Sequence, residues 1–467
     1  MPQGKFGRIL TQLQEIVGRE NVFSDPERLV EWGRDWTRGF IPDPLAIVLP
    51  KTTLEVSSIV KLCGSMNLPI VPSGGRTGLV GGAVAARREI VLSLGRMNQI
   101  IALDPRGMTI EVEAGATTEQ VQDAAKAVGL YYPVDLASKG SCHIGGNIAT
   151  NAGGLKVIRF GATRNHVLGI EVVMPSGSIL DLNRKLIKNN SGYDLKHLFI
   201  ASEGTLGIIT KASLRLYPPL GALRVSCLGV RSLTHLSRLL DLVSTRGISL
   251  TAFEFFSEAG LALVLEHIPG SKRPLREMCA YYALMEVEES HGNQFESWLE
   301  GAMDDGMVVD AVLSSSSEEF REIWSLRENM TEAIGKSVHV FKNDLALPLS
   351  AIAPFLSDIQ ERGTRDHSLQ LILFGHLGDG NVHINYIGDR SLTEEAFMGE
   401  VNRLQKHIFE TVHELGGTIS AEHGIGLIKK QHLKSVLDST ELELMRGLKG
   451  LFDPGNIMNP GKIIDLH

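Results

Sequence analysis

Three parts of this chain hold side chains that could act together on a small polar ligand. They are FGHLGDGNVHINY at 374–386, SAEHGIG at 420–426, and the looser set Arg327, Thr331 and Lys342. In a strand over NVHINY, alternation sets Val382 and Ile384 on one face and His383 and Asn385 on the other. A glycine-rich turn lets His376 fold back toward His383. Glu422 and His423 follow Gly416-Gly417, where a helix ends and a loop can re-aim side chains. Two histidines and a carboxylate, His376, His383 and Glu422, with one position open, match the ligand set of a catalytic divalent ion, zinc first. Manganese, cobalt or ferrous iron would suit the same donors. A lone strand histidine is more often a satisfied core or surface residue, and 15 histidines make chance pairs expected. The glycine punctuation and the separate Glu-His pair argue against chance. Arg327 and Thr331 stand one helical turn apart and so share a face, while Lys342 precedes the strand-like NDLALP. On residue type alone this set is an ordinary solvated helix face.

Three glycine-rich clusters lie earlier: PSGGRTGLVGGA at 72–83, KGSCHIGGNIATNAGG at 139–154 and ASEGTLGIIT at 201–210. The first follows a strand, so its N–H groups could line a nest for phosphate. Glycine permits both the positive φ values and the close approach that a nest needs. Gly145, Gly146, Asn147, Asn151, Gly153 and Gly154 repeat that chemistry and add amides for a polar heterocycle. One such loop would be a tight turn; three in one region point to a nucleotide cofactor. Neither G-x-G-x-x-G nor G-x-x-x-x-G-K-[ST] occurs in these clusters, which argues against a Rossmann NAD enzyme and a P-loop NTPase.

The elements that must position these groups are legible in outline. Residues 6–29 read as helical. Residues 46–49 read as a strand and 52–66 as an amphipathic helix ending at Asn67. Strands at 70–71 and 90–92 bracket the first glycine loop; 109–112 is a strand and 118–128 a helix stopped by Gly129. Beyond Pro218-Pro219 the texture changes, with an apolar strand at 369–374 and a long helix at 394–415. With 467 residues the chain exceeds one hydrophobic core. The expected domains are 1–218, 219–450, and a C-terminal segment 451–467 whose FDPGNIMNPGKI holds two turns. A net charge of −8 without a basic run excludes a nucleic-acid partner. Four scattered cysteines without a C-x-x-C pair read as free thiols. No signal-peptide core or bilayer-length apolar run is present, so the expected place is the cytoplasm, with peripheral membrane contact as a second option.

The stretches 72–79, 135–173 and 189–210 resemble the FAD-binding domain of the vanillyl-alcohol oxidase/p-cresol methylhydroxylase superfamily. Within it, the chain resembles the D-2-hydroxyglutarate dehydrogenases and their D-lactate and glycolate relatives over nearly its whole length. The fold this implies is α+β: two subdomains gripping FAD, an α/β substrate (cap) domain, and a C-terminal segment returning to the flavin. By this resemblance Pro72, Ser73, Gly74, Gly75, Arg76, Thr77, Gly78 and Leu79 form the pyrophosphate loop. Gly140, Ser141, Gly145, Gly146, Asn147, Gly153 and Gly161 surround the flavin, with Asp135, Ile144 and Asn151 as further cofactor contacts. Glu203, Gly204 and Ile209 fall around the adenosine, and Asn459 near the isoalloxazine. Some superfamily members tether FAD through a histidine in the first loop. Arg76 and Thr77 occupy that stretch here, which implies non-covalent FAD; His143 and His166 are the later histidines of this half.

The resemblance also implies metal ligands at His376, His383 and Glu422, with Arg327, Thr331 and Lys342 holding a distal carboxylate. A 2-hydroxy acid could then chelate the metal through its hydroxyl and C1 carboxylate. His423 would take the hydroxyl proton as general base, Asn385 would donate to the substrate, and hydride would pass from C2 to flavin N5. The implied reaction is oxidation of D-2-hydroxyglutarate to 2-oxoglutarate, because a bidentate arginine and a lysine favour a dicarboxylate. D-Lactate or glycolate oxidation is the alternative of the same class. A non-catalytic flavin or metal subunit would leave the clustered His, Glu and Asn unexplained, and an aldonolactone oxidase would not need the metal set. The implied electron acceptor is an electron-transfer flavoprotein or a quinone, and the relatives suggest a homodimer.

Overall fold

In the computed structural model, residues 3–37, 39–363 and 369–466 are described. They form two compact units. The first comprises 1–154, 161–219 and 422–467, and the second 155–160 and 220–421. Among the described residues no helix is long and apolar enough to cross a membrane. All four cysteines are buried free thiols.

The first unit holds two sheets. In one, β1 (Val22–Phe23), β2 (Ala46–Val48), β3 (Ile70–Ser73) and β4 (Ile90–Ser93) run in the order β1-β2-β4-β3, and β2, β4 and β3 are parallel. The other contains β5 (Ile100–Asp104), β6 (Thr109–Glu113), β7 (Val167–Val173), β8 (Ile179–Asp181) and β9 (Ile208–Arg215). It is antiparallel throughout, in the order β5-β6-β9-β7-β8. The helix Thr53–Met66 starts on the Thr52 side-chain cap and stops at left-handed Asn67. The helix Thr118–Ala127 opens with a capping box between Thr117 and Gln120. The expected helix over 6–29 is two helices, Gln3–Val17 and Pro26–Trp32. Gly18, at φ +87°, ends the first, and Asp25 caps a second that begins on proline.

The second unit is built on one antiparallel sheet of seven strands: β10 (Leu223–Val230), β11 (Leu250–Ser257), β12 (Tyr281–Glu288), β13 (Asp310–Leu313), β14 (His339–Ala346), β15 (Leu369–His376) and β16 (Asn381–Gly388). The order is β13-β10-β12-β11-β15-β16-β14. One face packs Val225, Ala252, Phe256, Leu284 and Ile372 against Leu261, Trp324, Met330 and Ile334 from the helices Glu258–His267, Ser317–Glu328 and Met330–Ile334.

The domain limits differ from those expected in two places. Residues 155–160 join the second unit because Lys156 pairs with buried Glu286, Arg159 with Glu288, and Leu155 packs on the core. The returning segment starts at Glu422, well before 451. The Glu203 carboxylate accepts the N–H groups of Ile425 (2.6 Å) and Gly426 (2.9 Å), and Leu427 N–H donates to the Val80 carbonyl at 2.9 Å. The helix Ser439–Phe452 runs through the expected limit at 450, and its buried Lys449 donates to the carbonyls of Thr205 and Met458 and pairs with Asp453. Beyond it, Ile70 N–H donates to the Ile457 carbonyl and Asn459 N–H to Ile70, adding the tail to the β3 edge.

Candidate active site

In the first unit the glycine clusters line a cleft. Pro72, Ser73, Gly74, Gly75, Arg76, Thr77 and Gly78 line it from the loop after β3, with Gly145, Gly146, Asn147, Glu203, Gly204, Ile209 and His423 opposite or beside them. Glycine at 75 has a specific cause: a Cβ there would stand 1.9 Å from the Ser141 carbonyl oxygen, so the two loops pass at backbone distance. Arg76 takes φ +56° and lays its guanidinium 4.4 Å from the Trp32 ring centre. Its pKa is held below the ordinary arginine value by burial.

Other expected contacts build the walls without lining the cleft. Ile144 donates its N–H to the Ala116 carbonyl, as Gly145 of the lining does to Ala114. Asn151 closes the helix Ile144–Thr150 in the left-handed region and accepts the Arg164 N–H at 2.8 Å. Asp135 pairs with Lys139 at 2.9 Å, and its carbonyl abuts Gly154. Gly153 lies against the Glu422 carboxylate, which accepts the Gly154 N–H at 2.8 Å. Leu79, Gly140, Ser141 and Gly161 also stand outside the lining. Asn459 is buried behind it, and its amide donates to the carbonyls of Gly82 (2.9 Å) and Glu203 (2.7 Å), tying two walls together.

Glu203 reaches the cleft but also anchors the loop that carries His423. Burial raises its carboxyl pKa, while the N–H groups of Ile425 and Gly426 and the charges of Lys429 and Lys462 pull it down. Burial likewise drives Lys462 down to about 8, and its ammonium donates to the Val84 carbonyl at 2.7 Å. His143 and Ser73 answer whether the cleft suits a polar dinucleotide. Among the described residues, buried His143 Nδ1 and Ser73 Oγ have no protein partner, and both residues line the cleft. Burial lowers the His143 pKa to about 4, with Arg76 adding to the effect, so the ring is neutral at ordinary pH. His166 lies elsewhere, with its nitrogens at 3.1 Å from the Tyr217 hydroxyl and 3.2 Å from the Gly161 carbonyl. The motif reading passed over His143 as a cleft residue, although it is the one imidazole in SCHIGG. Leu94 and Ala114 also line the cleft and carry no local signal.

In the second unit, register sets the polar groups on one sheet face. β14 and β16 pair Lys342 with Asn385 and Asp344 with His383; β15 and β16 pair Phe374 with His383; β11 and β15 pair Glu254 with His376. The His376 and His383 rings are 5.7 Å apart in an edge-to-face arrangement, and Phe374 lies 4.7 Å from His383. His376 Nδ1 is 2.7 Å from Glu254 Oε1, while Asp344 lies 3.9 Å from His383 Nδ1 and accepts from Asn381 at 2.9 Å. Carboxylates on the Nδ1 sides suit the histidines to ligate a divalent ion through Nε2. Asn385 is 1% exposed, and its amide nitrogen has no protein partner among the described residues, which suits it to donate to a bound ligand.

Arg327 is buried, meets Glu254 at 2.9 Å, and holds its guanidinium 4.8 Å from the Phe374 ring centre. Thr331 does not share its setting. The helix is interrupted at Asn329, and Thr331 is exposed, so the two do not form one buried helical face. Lys342 lies within β14 rather than ahead of a strand. It is exposed, yet desolvation by its surroundings lowers its ammonium pKa. Glu254 escaped the motif reading, although a lone carboxylate inside the apolar LTAFEFFS is a signal that a buried charge needs partners.

The glycine-walled cleft and the sheet-borne polar face are those of a flavoprotein with the vanillyl-alcohol oxidase architecture. Solved p-cresol methylhydroxylase with substrate bound shares the fold at a TM-score of 0.78 and 16% identity, over 100% of this chain and 98% of that one. 4-Ethylphenol oxidase from Gulosibacter chungangensis does so at 0.76 and 16%, over 99% and 98%. Residues 44–183 match the FAD binding domain family, and residues 222–463 match the C-terminal domain of FAD linked oxidases. The chain is 42% identical to D-2-hydroxyglutarate dehydrogenase of Xanthomonas citri pv. viticola over 98% of its length and 97% of that protein. It is 41% identical to the Stutzerimonas stutzeri enzyme of the same name, over 97% and 98%. It is 38% identical to the mitochondrial enzyme of Bos taurus, over 98% and 84%. The chain belongs to the FAD-linked oxidase family, in the group of FAD-dependent 2-hydroxy-acid dehydrogenases that includes these relatives.

The close passage at Gly75 gives a direct expectation. Gly75→Ala forces the first loop off the Ser141 carbonyl, and FAD per purified chain, read from the 450 nm to 280 nm absorbance ratio, falls at least about tenfold. Wild-type flavin content would show that the two loops need not touch.

Proposed function

We propose that this protein oxidises D-2-hydroxyglutarate to 2-oxoglutarate with non-covalent FAD and one divalent metal, zinc being the first candidate. The observation that carries the reading is the polar face on β11, β14, β15 and β16. There two histidines backed by carboxylates share a surface with Asn385, Lys342 and Arg327. The names of relatives that match this chain over nearly its whole length support the same substrate.

His376 and His383 would hold the metal with Glu422 as the carboxylate ligand, a donor set suited to zinc. A divalent ion there would supply Lewis-acid polarisation of the C2 hydroxyl, and bound FAD would supply the two-electron acceptor. His423, which lines the cofactor cleft, is assigned the hydroxyl proton as general base. Asn385 donates its buried amide to the substrate. Arg327 and Lys342 hold the distal carboxylate; the guanidinium is fixed in advance by Glu254 and Phe374, which limits the ordering cost of binding. Thr331, being exposed, has the weakest claim of the three on that carboxylate. Reoxidation of the flavin is assigned to an electron-transfer flavoprotein or a quinone.

Three measurements test the reading. Anaerobic addition of D-2-hydroxyglutarate should bleach the flavin, chelation should abolish the bleaching and zinc should restore it. Bleaching by D-lactate alone would keep the enzyme class and overturn the substrate. His423→Ala should leave the FAD spectrum and metal content intact while slowing flavin reduction by about 10²–10⁴; a wild-type rate removes His423 from proton transfer. Arg327→Lys keeps a cation beside Glu254 but loses the planar fork. Its kcat/KM should therefore fall about tenfold or more for D-2-hydroxyglutarate and less than about twofold for D-lactate. An equal loss on both acids would refute the distal-carboxylate role.

A further inference from the structure

Glu254 lies mid-strand on β11, 1% exposed, among apolar residues of the sheet face. A carboxylate there needs compensation, and it has two partners of different kinds. Its Oε1 is 2.7 Å from His376 Nδ1, and its Oε2 forms an ion pair with Arg327, 2.9 Å from Nε but outside hydrogen-bond geometry. Arg327 also faces the Phe374 ring, which packs on His383. Glu254 and Phe374 thus close a circuit from the guanidinium to both histidines through side-chain contacts within one unit. The neighbouring buried carboxylate, Glu286, is built differently. It is neutralised by Lys156 and accepts hydrogen bonds from the Thr251 hydroxyl and, at 3.1 Å, the Trp324 indole N–H, none of which belongs to the polar face used above.

We infer that Glu254 is the positioning residue that couples metal retention to recognition of the substrate's distal carboxylate. Accepting from Nδ1–H fixes the tautomer that presents Nε2 of His376 and makes the ring a better donor to a cation. The second oxygen pairs with the Arg327 charge on its Nε side, which leaves the two terminal nitrogens of the guanidinium to meet a dicarboxylate. One buried charge thereby orients a ligand of the metal and the cation that distinguishes a dicarboxylate from a monocarboxylate. The metal arm rests on the reading given under Proposed function; the arginine arm does not.

Glu254→Gln in the FAD-loaded protein is the test, because it keeps the shape and one acceptor oxygen but removes the charge. Metal loss to a chelator, followed by elemental analysis, should be at least about tenfold faster than in the wild type. The KM for D-2-hydroxyglutarate should rise about tenfold while that for D-lactate changes less than about twofold. If either quantity stays at its wild-type value in a folded, flavin-loaded variant, the coupling role is overturned. A wild-type protein that retains no metal would defeat the metal reading itself, and the KM ratio would then decide the role of Glu254. Should the glutamine variant fail to fold, Glu254→Asp keeps the charge but is too short to meet both partners. At least one of the two quantities must then move about tenfold, and neither moving overturns the proposal.

Discussion

Burying a carboxylate on a sheet face packed by apolar helices is the constraint around which the second unit is organised. Glu254 and Glu286 both sit on the face that packs Trp324 and Met330, and each is about 1% exposed. An ionised carboxylate in such a place is tolerated only when paired and hydrogen-bonded, so each carboxylate dictates its neighbours. Glu286 draws in Lys156, which is why six residues of the nucleotide-binding half of the sequence belong to the second unit. Glu254 draws in Arg327 and His376, and through them the polar surface to which substrate chemistry is assigned. The register of β11 against β15 does the rest, since a slip of one residue would turn Glu254 and His376 to opposite faces.

The first unit uses a carboxylate in a related way. Glu203 stands in the left-handed region at φ +49° and receives two successive N–H groups from the loop that begins the returning segment. Asn459 then donates to the Glu203 carbonyl, and Lys449 to that of Thr205. The segment after 422 is therefore held to the loop at 203–205 by its own polar groups, and His423 is fixed in the cleft wall by its neighbours. A buried lysine such as Lys449 loses hydration, which lowers its pKa, and the charge of Asp453 works in the opposite direction.

How much of this was legible in the sequence depended on the range of the interaction. Strand alternation in NVHINY and the helix stop at Asn67 are local, and each is found as read; Thr52, read as the first helical residue, is the cap. The two helices within 6–29 were also signalled locally, by Gly18 and Asp25-Pro26, but a helical periodicity overrode the punctuation. Glycine clusters announced a cleft, but not why Gly75 must be glycine: the Ser141 carbonyl it passes is more than sixty residues away along the chain. Arg327 and Thr331 looked equivalent at one-turn spacing because the interruption at Asn329 has no proline or glycine to announce it. The returning segment was placed too late because its first anchor, Glu203, is a tertiary partner with no mark in the sequence around 422.

The residues that support the site have a common property. Asn459, Glu203 and Glu254, the last of which motif reading missed, hold other groups in place, and such residues need only the right charge and reach, which many local sequences provide. Residues that meet a cofactor backbone-first must be glycine, and those offered to a metal must be histidine or acid, so they stand out by type. Motifs consequently outline a site by its contacts and omit its supports. Yet a support such as Glu254 acts on two groups at once, so its loss would disturb more than the loss of most direct contacts. For this fold the informative search in the sequence is for a lone ionisable residue inside an apolar strand, as in LTAFEFFS, because the cost of burying it requires partners, and those partners lead to the site.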